Sequence, residues 1–159
     1  MKNILLAGII GAALTVSCST AKTAQQNRAE FLKLKGDWEM TSVNYDKGYI
    51  VKPFDEGADA QCFVGSHWKL IPNNNTGSYT LDGDGACPSL TQPISFHVEN
   101  GDTFKFKKLQ EGVKAKAVVS GYALRLINQT TDQFSLEQNI PVDGRNLRVV
   151  YNFQRTAAQ

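Results

Sequence analysis

Few side chains in this sequence have the type and spacing that catalysis or metal binding requires. The two histidines, His67 and His97, each fall on the polar phase of an alternating segment, which predicts a solvent-facing position. The run 82–85, Asp-Gly-Asp-Gly, begins like a calcium loop, but a complete loop would need acids where Ala86 and Pro93 stand. Glycine-rich phosphate loops and nucleophile elbows are absent from the sequence. We therefore expect no catalytic residue, no metal site and no cofactor.

The composition is that of an ordinary globular chain. Its 159 residues include 17 Lys and Arg against 15 Asp and Glu, for a formal net charge of +2. This balance offers no broad cationic surface, so nucleic acid is not expected as a partner. Hydrophobic residues make up 42% and charged residues 20%, which is enough to build a core. One folded domain is the expected count.

The N-terminal segment 1–17 has the three parts of a secretory signal peptide. Lys2 supplies a positive start, residues 4–16 form an apolar run, and small residues lead to Cys18. The run is shorter than the roughly 20 residues that a membrane-spanning helix needs. Residues 14–18, Leu-Thr-Val-Ser-Cys, resemble a bacterial lipobox, in which the cysteine is acylated and becomes the new N-terminus. The resemblance implies an outer-membrane lipoprotein of the bacterial cell envelope, held to the membrane through a lipid on Cys18.

The alternative for Cys18 is ordinary signal cleavage, which would leave it as a free thiol. Small and polar residues follow it, and they predict a flexible tether over 18–26. No acidic run comes after the cysteine, and this favours a periplasm-facing orientation. The folded domain is then expected over 27–159.

Two cysteines, Cys62 and Cys87, remain if Cys18 carries lipid. In an exported chain such a pair is most simply a disulfide. Neither has a second cysteine or a histidine spaced as a zinc site or a thiol dyad would require. We therefore predict a bond between Cys62 and Cys87.

Hydrophobic periodicity predicts an all-β domain behind one short helix. Asn27 and Glu30 imitate a capping box, which indicates a helix over 27–34. Beyond it the pattern has period two, and Asn-Gly and Asp-Gly turns separate the runs. Eight strands are predicted, at 37–45, 62–71, 77–82, 92–99, 102–109, 118–128, 132–140 and 146–155. Eight antiparallel strands in one domain favour a closed up-and-down barrel, which leaves no exposed edge.

Loop lengths distinguish the two ends of such a barrel. Successive connections alternate between the ends, so the long loops at 46–61, 83–91 and 110–117 share one rim. Cys62 and Cys87 both lie at this rim, which is compatible with the disulfide. The tether and the short turns belong to the opposite rim. The elaborated mouth is therefore expected to face away from the membrane anchor.

The segment Gly36-Asp37-Trp38, which opens the first strand after a short helix, resembles the lipocalin signature. Together with the lipobox and the runs 62–69 and 74–77, the chain is similar to the small lipocalin-like lipoproteins of Bacteroidetes-type bacteria. The resemblance implies that Trp38 closes one end of the barrel and that Arg155 packs across it. It also implies a small hydrophobic ligand inside the barrel.

The apolar phase of the strands leaves two functions open. If a pocket exists, its lining is expected near the elaborated mouth, with Tyr45, Tyr49, Ile50 and Phe54 of the first loop as a lid. The candidate ligand-binding residues are Tyr45, Tyr49, Phe54, Trp68, Phe96, Phe106, Tyr122, Leu124, Leu136 and Tyr151. So many large side chains could instead fill the barrel. The protein would then be a non-catalytic scaffold whose long loops contact another envelope protein, a partner the sequence leaves unidentified.

Five lysines recur along the fifth strand and the loop after it, at Lys105, Lys107, Lys108, Lys114 and Lys116. The simplest interpretation is a solvated outer strand face. The alternative is a patch that meets anionic lipid headgroups or an acidic partner, for which binding would depend on salt.

Overall fold

The computed structural model describes residues 17–156, and the predicted signal peptide lies outside them except for Ser17. One helix, α1 (Ser17–Lys33), precedes eight strands. The strands are β1 (Gly36–Asn44), β2 (His67–Ile71), β3 (Thr76–Asp82), β4 (Ser89–Glu99), β5 (Thr103–Lys108), β6 (Tyr122–Ile127), β7 (Gln133–Val142) and β8 (Arg145–Arg155). Each strand pairs antiparallel with the next, and β8 returns to pair with β1. The predicted eight-stranded up-and-down barrel is confirmed.

Strands β2 and β6 begin five and four residues later than the sequence pattern predicts. Residues Ala60–Phe63 form a short 3-10 helix, whose first turn is capped by the Asp59 carboxylate accepting a hydrogen bond from the Gln61 amide at 2.8 Å. The predicted second strand therefore loses its first five positions. Another 3-10 turn, Ala115–Ala117, occupies the loop before β6.

Helix α1 is longer than the predicted helix over 27–34. It also includes the segment 18–26 that we expected to be a flexible tether. The alanine, glutamine and lysine residues there are good helix formers. A segment of small and polar residues can therefore be an exposed helix as well as a flexible linker. Residues 20–26 are all exposed. Within the part of the chain that the structure describes, no helix is both long and apolar enough to cross a membrane.

The end of α1 packs over one end of the barrel. Phe31 and Leu34 are buried, and the Phe31 ring lies 5.6 Å from that of Phe96 between centroids. The side-chain amide of Gln129, in the β6–β7 turn, donates to the Glu30 carbonyl at 2.7 Å. The helix therefore closes the rim that carries the short turns.

The tight hairpins use the residues that their backbone requires. In the β7–β8 turn, Asp143 and Gly144 have φ of 48° and 74°, and in the β4–β5 turn, Asn100 and Gly101 have φ of 54° and 85°. Positive φ at both central positions suits Asn-Gly and Asp-Gly sequences. These turns set the register that sends alternate side chains into the barrel.

The disulfide between Cys62 and Cys87 is confirmed, with Cα atoms 5.3 Å apart. It ties the long β1–β2 loop to the β3–β4 loop at the elaborated rim. Its sequence separation is 25 residues. Closing a loop of that length stabilises the fold by about 3 kcal/mol in the chain-entropy model. The bond therefore restrains the loop that covers the barrel mouth.

Candidate functional site

The closed end of the barrel is built around Trp38. This residue is 1% exposed, and its ring meets Phe134 edge-on at 4.8 Å between centroids. The indole N–H donates to the Leu34 carbonyl at 2.9 Å, which joins the barrel floor to the end of α1. The Arg155 guanidinium carbon lies 4.1 Å from the indole centroid, a cation–π arrangement. The structure thus places Trp38 and Arg155 in contact at the rim opposite the long loops.

Arg155 also binds the backbone around the helix end. Its Nη1 and Nη2 donate to the carbonyls of Lys35 and Lys33 at 2.8 and 2.9 Å, and its Nε donates to the Thr131 carbonyl at 2.8 Å. Gly36 makes room for this fork, because a Cβ there would lie 2.3 Å from Nη1. The φ of Gly36 is +135°, which also favours glycine. These residues form a structural closure at this end of the barrel.

The interior above this floor is filled with side chains. Seven of the ten candidate ligand-binding residues are buried there: Phe54, Trp68, Phe96, Phe106, Leu124, Leu136 and Tyr151. Tyr122 is half-buried at the mouth. Tyr45 and Tyr49 are partly buried against the core and line a concavity of about 400 Å³ beside Arg145 and Arg148. Of the four loop residues predicted as a lid, Ile50 is 81% exposed and Phe54 is the one that enters the barrel.

Phe54 occupies an aromatic chamber at the elaborated mouth. Its ring centroid lies between 5.1 and 6.2 Å from five other rings, those of Phe63, Trp68, Phe106, Tyr122 and Tyr151. Trp68 stacks in turn on Tyr79 at 4.7 Å. Four of the five rings stand on strands or at their ends, whereas Phe54 belongs to the β1–β2 loop. We call the space enclosed by these five rings the chamber.

The backbone that delivers Phe54 is strained. Phe54 and Asp55 have φ of 58° and 53°, in the left-handed region that bulky side chains rarely adopt. Such a residue costs of order 1–3 kcal/mol and persists only where its surroundings impose it. Pro53 begins the turn and Gly57, with φ of 71°, ends it. The Phe54 ring is therefore held in the chamber although this position costs conformational free energy in the loop backbone.

Three side chains of the barrel hold this turn in place, and we call them the latch: Tyr79, Lys108 and Tyr122. The Lys108 ammonium donates to the Phe54 carbonyl at 2.8 Å and to the Glu56 carboxylate at 3.0 Å. The Tyr79 hydroxyl donates to the same Glu56 carboxylate. The Tyr122 hydroxyl donates to the Asp55 carboxylate at 2.6 Å. Each of the residues 54–56 is therefore bound to the barrel wall.

Sequence reasoning missed most of the latch. Lys108 was assigned to the outer cationic face, but it follows Phe104 and Phe106 at a spacing of two and so belongs to their inward phase. That signal was present in the alternation. Asp55 and Glu56 carry no such signal, because positions in an irregular loop follow no period.

Burial raises the pKa of the Tyr79 phenol well above its ordinary value, and the hydrogen bond that it donates to the Glu56 carboxylate raises it further. Burial also raises the pKa of Tyr151, with a smaller contribution from Tyr45. At Tyr122, desolvation comes first and the hydrogen bond to Asp55 second, and both raise the pKa. All three phenols therefore stay protonated in the folded protein at pH values where an exposed tyrosine ionises.

Alkaline pH is expected to destabilise the protein through Tyr79 and Tyr151. Their folded-state pKa values lie above the unfolded value of about 10, so the contribution to stability is present below pH 10 and is lost as pH rises above it. Each buried phenol lowers the free energy of unfolding by roughly 1.4 kcal/mol per pH unit in that range. Urea unfolding between pH 9 and 11 measures this slope. The double variant Tyr79→Phe, Tyr151→Phe should flatten it, and an unchanged slope would assign the loss to other groups.

No protein-family model matches the chain, and no curated protein sequence is significantly similar to it. Several solved structures of odorant-binding proteins from cattle are similar in fold. The odorant-binding protein from bovine nasal mucosa aligns with a TM-score of 0.45 and 8% identity, over 80% of this chain and 74% of its own. The bovine protein in complex with a selenium-containing odorant gives 0.44 and 8%, over 80% and 73%. The same protein with its natural ligand gives 0.43 and 9%, over 80% and 74%.

Proposed function

We propose that this chain is an envelope-anchored, lipocalin-like lipoprotein that binds a small hydrophobic molecule inside its barrel and catalyses no reaction. The binding site is the chamber that the Phe54 ring fills in the structure. A ligand takes the place of the Phe54 ring when the 53–56 turn swings outward. The single observation that carries the proposal is that the Phe54 side chain, on a strained loop backbone, fills the middle of an aromatic interior that is built mostly on strands.

The chamber has the chemistry of a small apolar site. Its walls are aromatic rings. The latch groups and the Asp55 and Glu56 carboxylates that they bind are polar groups at its mouth. Apolar cavities of phenyl size bind small aromatic molecules, because burying the ligand surface contributes about 25 cal/mol per Å². When the Phe54 ring moves out of the chamber, it leaves a space of phenyl size, and the strands keep their positions.

Opening the turn has a moderate cost. The lost contacts of Phe54 are partly offset by relief of the left-handed backbone at two residues. Lys108 and Tyr122 are only partly buried, so water can replace their bonds to the loop. The buried Tyr79 hydroxyl loses its Glu56 partner, which adds to the cost of opening. The apparent affinity falls by the fraction of molecules that are open. Binding by the wild-type protein is therefore weaker than binding to a preformed chamber of the same shape.

The anchoring part of the proposal rests on the sequence. The lipobox-like residues 14–18 support acylation of Cys18. The structure does not describe the Cys18 side chain. Helix α1 meets the barrel at its closed end, and Phe54 is at the opposite mouth. A membrane tether at Cys18 would leave that mouth directed toward the periplasm.

Native mass spectrometry of the full chain, expressed with its own N-terminus and extracted from bacterial envelopes in mild detergent, tests both parts. We expect a mass that includes acyl chains on Cys18 and a second species carrying a non-covalent lipophilic adduct. The Cys18→Ala variant should lose the acyl mass and keep the adduct. An unacylated mature chain would overturn the anchoring. An apo mass that persists after incubation with a panel of fatty acids, isoprenoids and aromatic compounds would overturn the carrier function.

A second function is favoured by the completeness of the core. Trp68, Tyr79, Phe106 and Tyr151 are all at most 2% exposed, as in a barrel that serves only as a scaffold. Under this alternative the latched loops contact another envelope protein. The uncharged isoprenoids and aromatic compounds of the panel separate the two functions, because a scaffold gives no adduct with any of them.

A further inference from the structure

A groove of about 460 Å³ lies on the outer wall of the barrel, apart from the chamber. Its floor is the outward face of β4, β5 and β6, where Ser95 pairs with Lys107 and His97 with Lys105. Its wall is the β5–β6 loop, which folds back along the strands instead of projecting from the rim. Small-molecule sites span roughly 300–1,000 Å³, so the groove is large enough for one ligand.

Specific contacts hold the loop in this position. The Lys107 ammonium donates to the Val118 carbonyl at 2.7 Å, and the 3-10 turn at Ala115–Ala117 shortens the segment before it. Gly121 lies flat on β5, where a Cβ would come within 2.9 Å of the Phe106 carbonyl oxygen. The groove is therefore defined by packed backbone as well as by long side chains.

The charge of the groove has one sign. Lys105, Lys107 and Lys116 line it, and none of the residues that line it carries a carboxylate. Lys105 is paired with Glu99 on β4. In the part of the chain from 17 to 156, neither Lys107 nor Lys116 has a carboxylate within 4 Å. Two cationic groups thus border the groove without an acidic partner.

Apolar surface adjoins these cations. Val119 is 96% exposed at the groove, and Ala115, Ala123 and the ring of Tyr122 also line it. A ligand that covered Val119 would bury apolar area that is otherwise in water. Cations without counter-charges, next to an exposed apolar wall, complement a molecule with an anionic head and a hydrocarbon chain.

We propose that this groove binds a single-chain amphiphile with an anionic head, such as a medium-chain carboxylate, as a monomer from solution. The head lies between Lys116 and Lys107, and the chain covers Val119 and Ala123. This site is separate from the chamber, so it does not depend on the proposed function. Its affinity falls as salt rises, because the cations are partly exposed.

The test follows decanoate, below its micelle concentration, in two-dimensional amide NMR spectra of the full-length protein. We expect concentration-dependent shifts confined to β4–β6 and the loop 109–121. Decyltrimethylammonium, with the same chain and the opposite charge, should produce none there. Lys116→Glu is expected to weaken decanoate binding by about fivefold or more. Lys114→Glu is the matched control, since Lys114 is exposed on the same loop but does not line the groove.

The outcomes separate this site from the chamber and from a membrane contact. Decanoate shifts at Phe63, Trp68 and Tyr151, unchanged in Lys116→Glu, would place the ligand in the chamber and overturn the groove. Binding of the protein to vesicles of anionic phospholipid is measured as well. The proposal is wrong, and the loop is a membrane contact, if three results occur together. The vesicles bind the protein, Lys114→Glu and Lys116→Glu weaken that binding equally, and monomeric decanoate produces no shifts.

Discussion

Replacing Trp38 by alanine is expected to lower the free energy of unfolding by about 3–5 kcal/mol, the usual cost of removing a large buried aromatic side chain. Trp38 is 1% exposed and joins β1 to Phe134 on β7 and to the Leu34 carbonyl at the end of α1. Its loss leaves a cavity at the barrel floor. It also removes the ring over which the Arg155 guanidinium lies. Urea unfolding followed by circular dichroism measures the change.

The variant Trp38→Phe is the control for ring burial. It keeps most of the apolar volume and loses the indole hydrogen bond, so we expect a cost of about 1–2 kcal/mol. A Trp38→Ala cost below about 1 kcal/mol would contradict the role of this residue as the floor of the barrel, because surface substitutions stay within about 0.5 kcal/mol.

The second large effect is expected at Phe54. Phe54→Gly should raise the affinity for a small aromatic molecule such as indole by about tenfold or more. The chamber is then open in every molecule, so binding no longer requires free energy to open the turn first. Glycine also accepts the φ of 58° without strain. Calorimetric titration of indole into the wild-type and variant proteins gives the ratio of affinities.

Ile50→Gly is the matched control for this experiment. Ile50 lies in the same loop and is 81% exposed, so its replacement adds flexibility and leaves the chamber filled. We expect indole affinity within about twofold of wild type for a surface change of this kind. Equal affinity of the Phe54→Gly variant and the wild-type protein would contradict the idea that the Phe54 ring occupies the ligand site.

The barrel itself could be predicted from the sequence for a physical reason. A strand with one buried face must alternate, and the turns between such strands need Asn, Asp or Gly at positive φ, as at Asn100 and Asp143. Because successive connections lie at alternate ends of the barrel, the long loops are predicted to share one rim. The same alternation predicts that Cys62 lies near Cys87, which the disulfide confirms.

The plugged chamber could not be predicted in the same way. Phe54 enters the barrel because Pro53 and Gly57 bend an irregular loop and because Lys108 and Tyr122 bind that bend. No periodicity connects residues so distant in sequence, and left-handed φ at a phenylalanine runs against its local preference. Places where local preference is overridden are often functional, which is a further reason to test this loop.

The most direct test is an NMR measurement of proximity in the wild-type protein. Nuclear Overhauser effects should connect Phe54 to Phe106 and Tyr151 in the free protein, where the ring centroids are 5.1 and 5.3 Å apart. At saturating indole, we predict that these effects disappear. Effects between the ligand protons and the rings of Phe106, Trp68 and Tyr151 should replace them. Persistence of the Phe54 contacts with saturating ligand would contradict displacement and show that the barrel mouth stays closed.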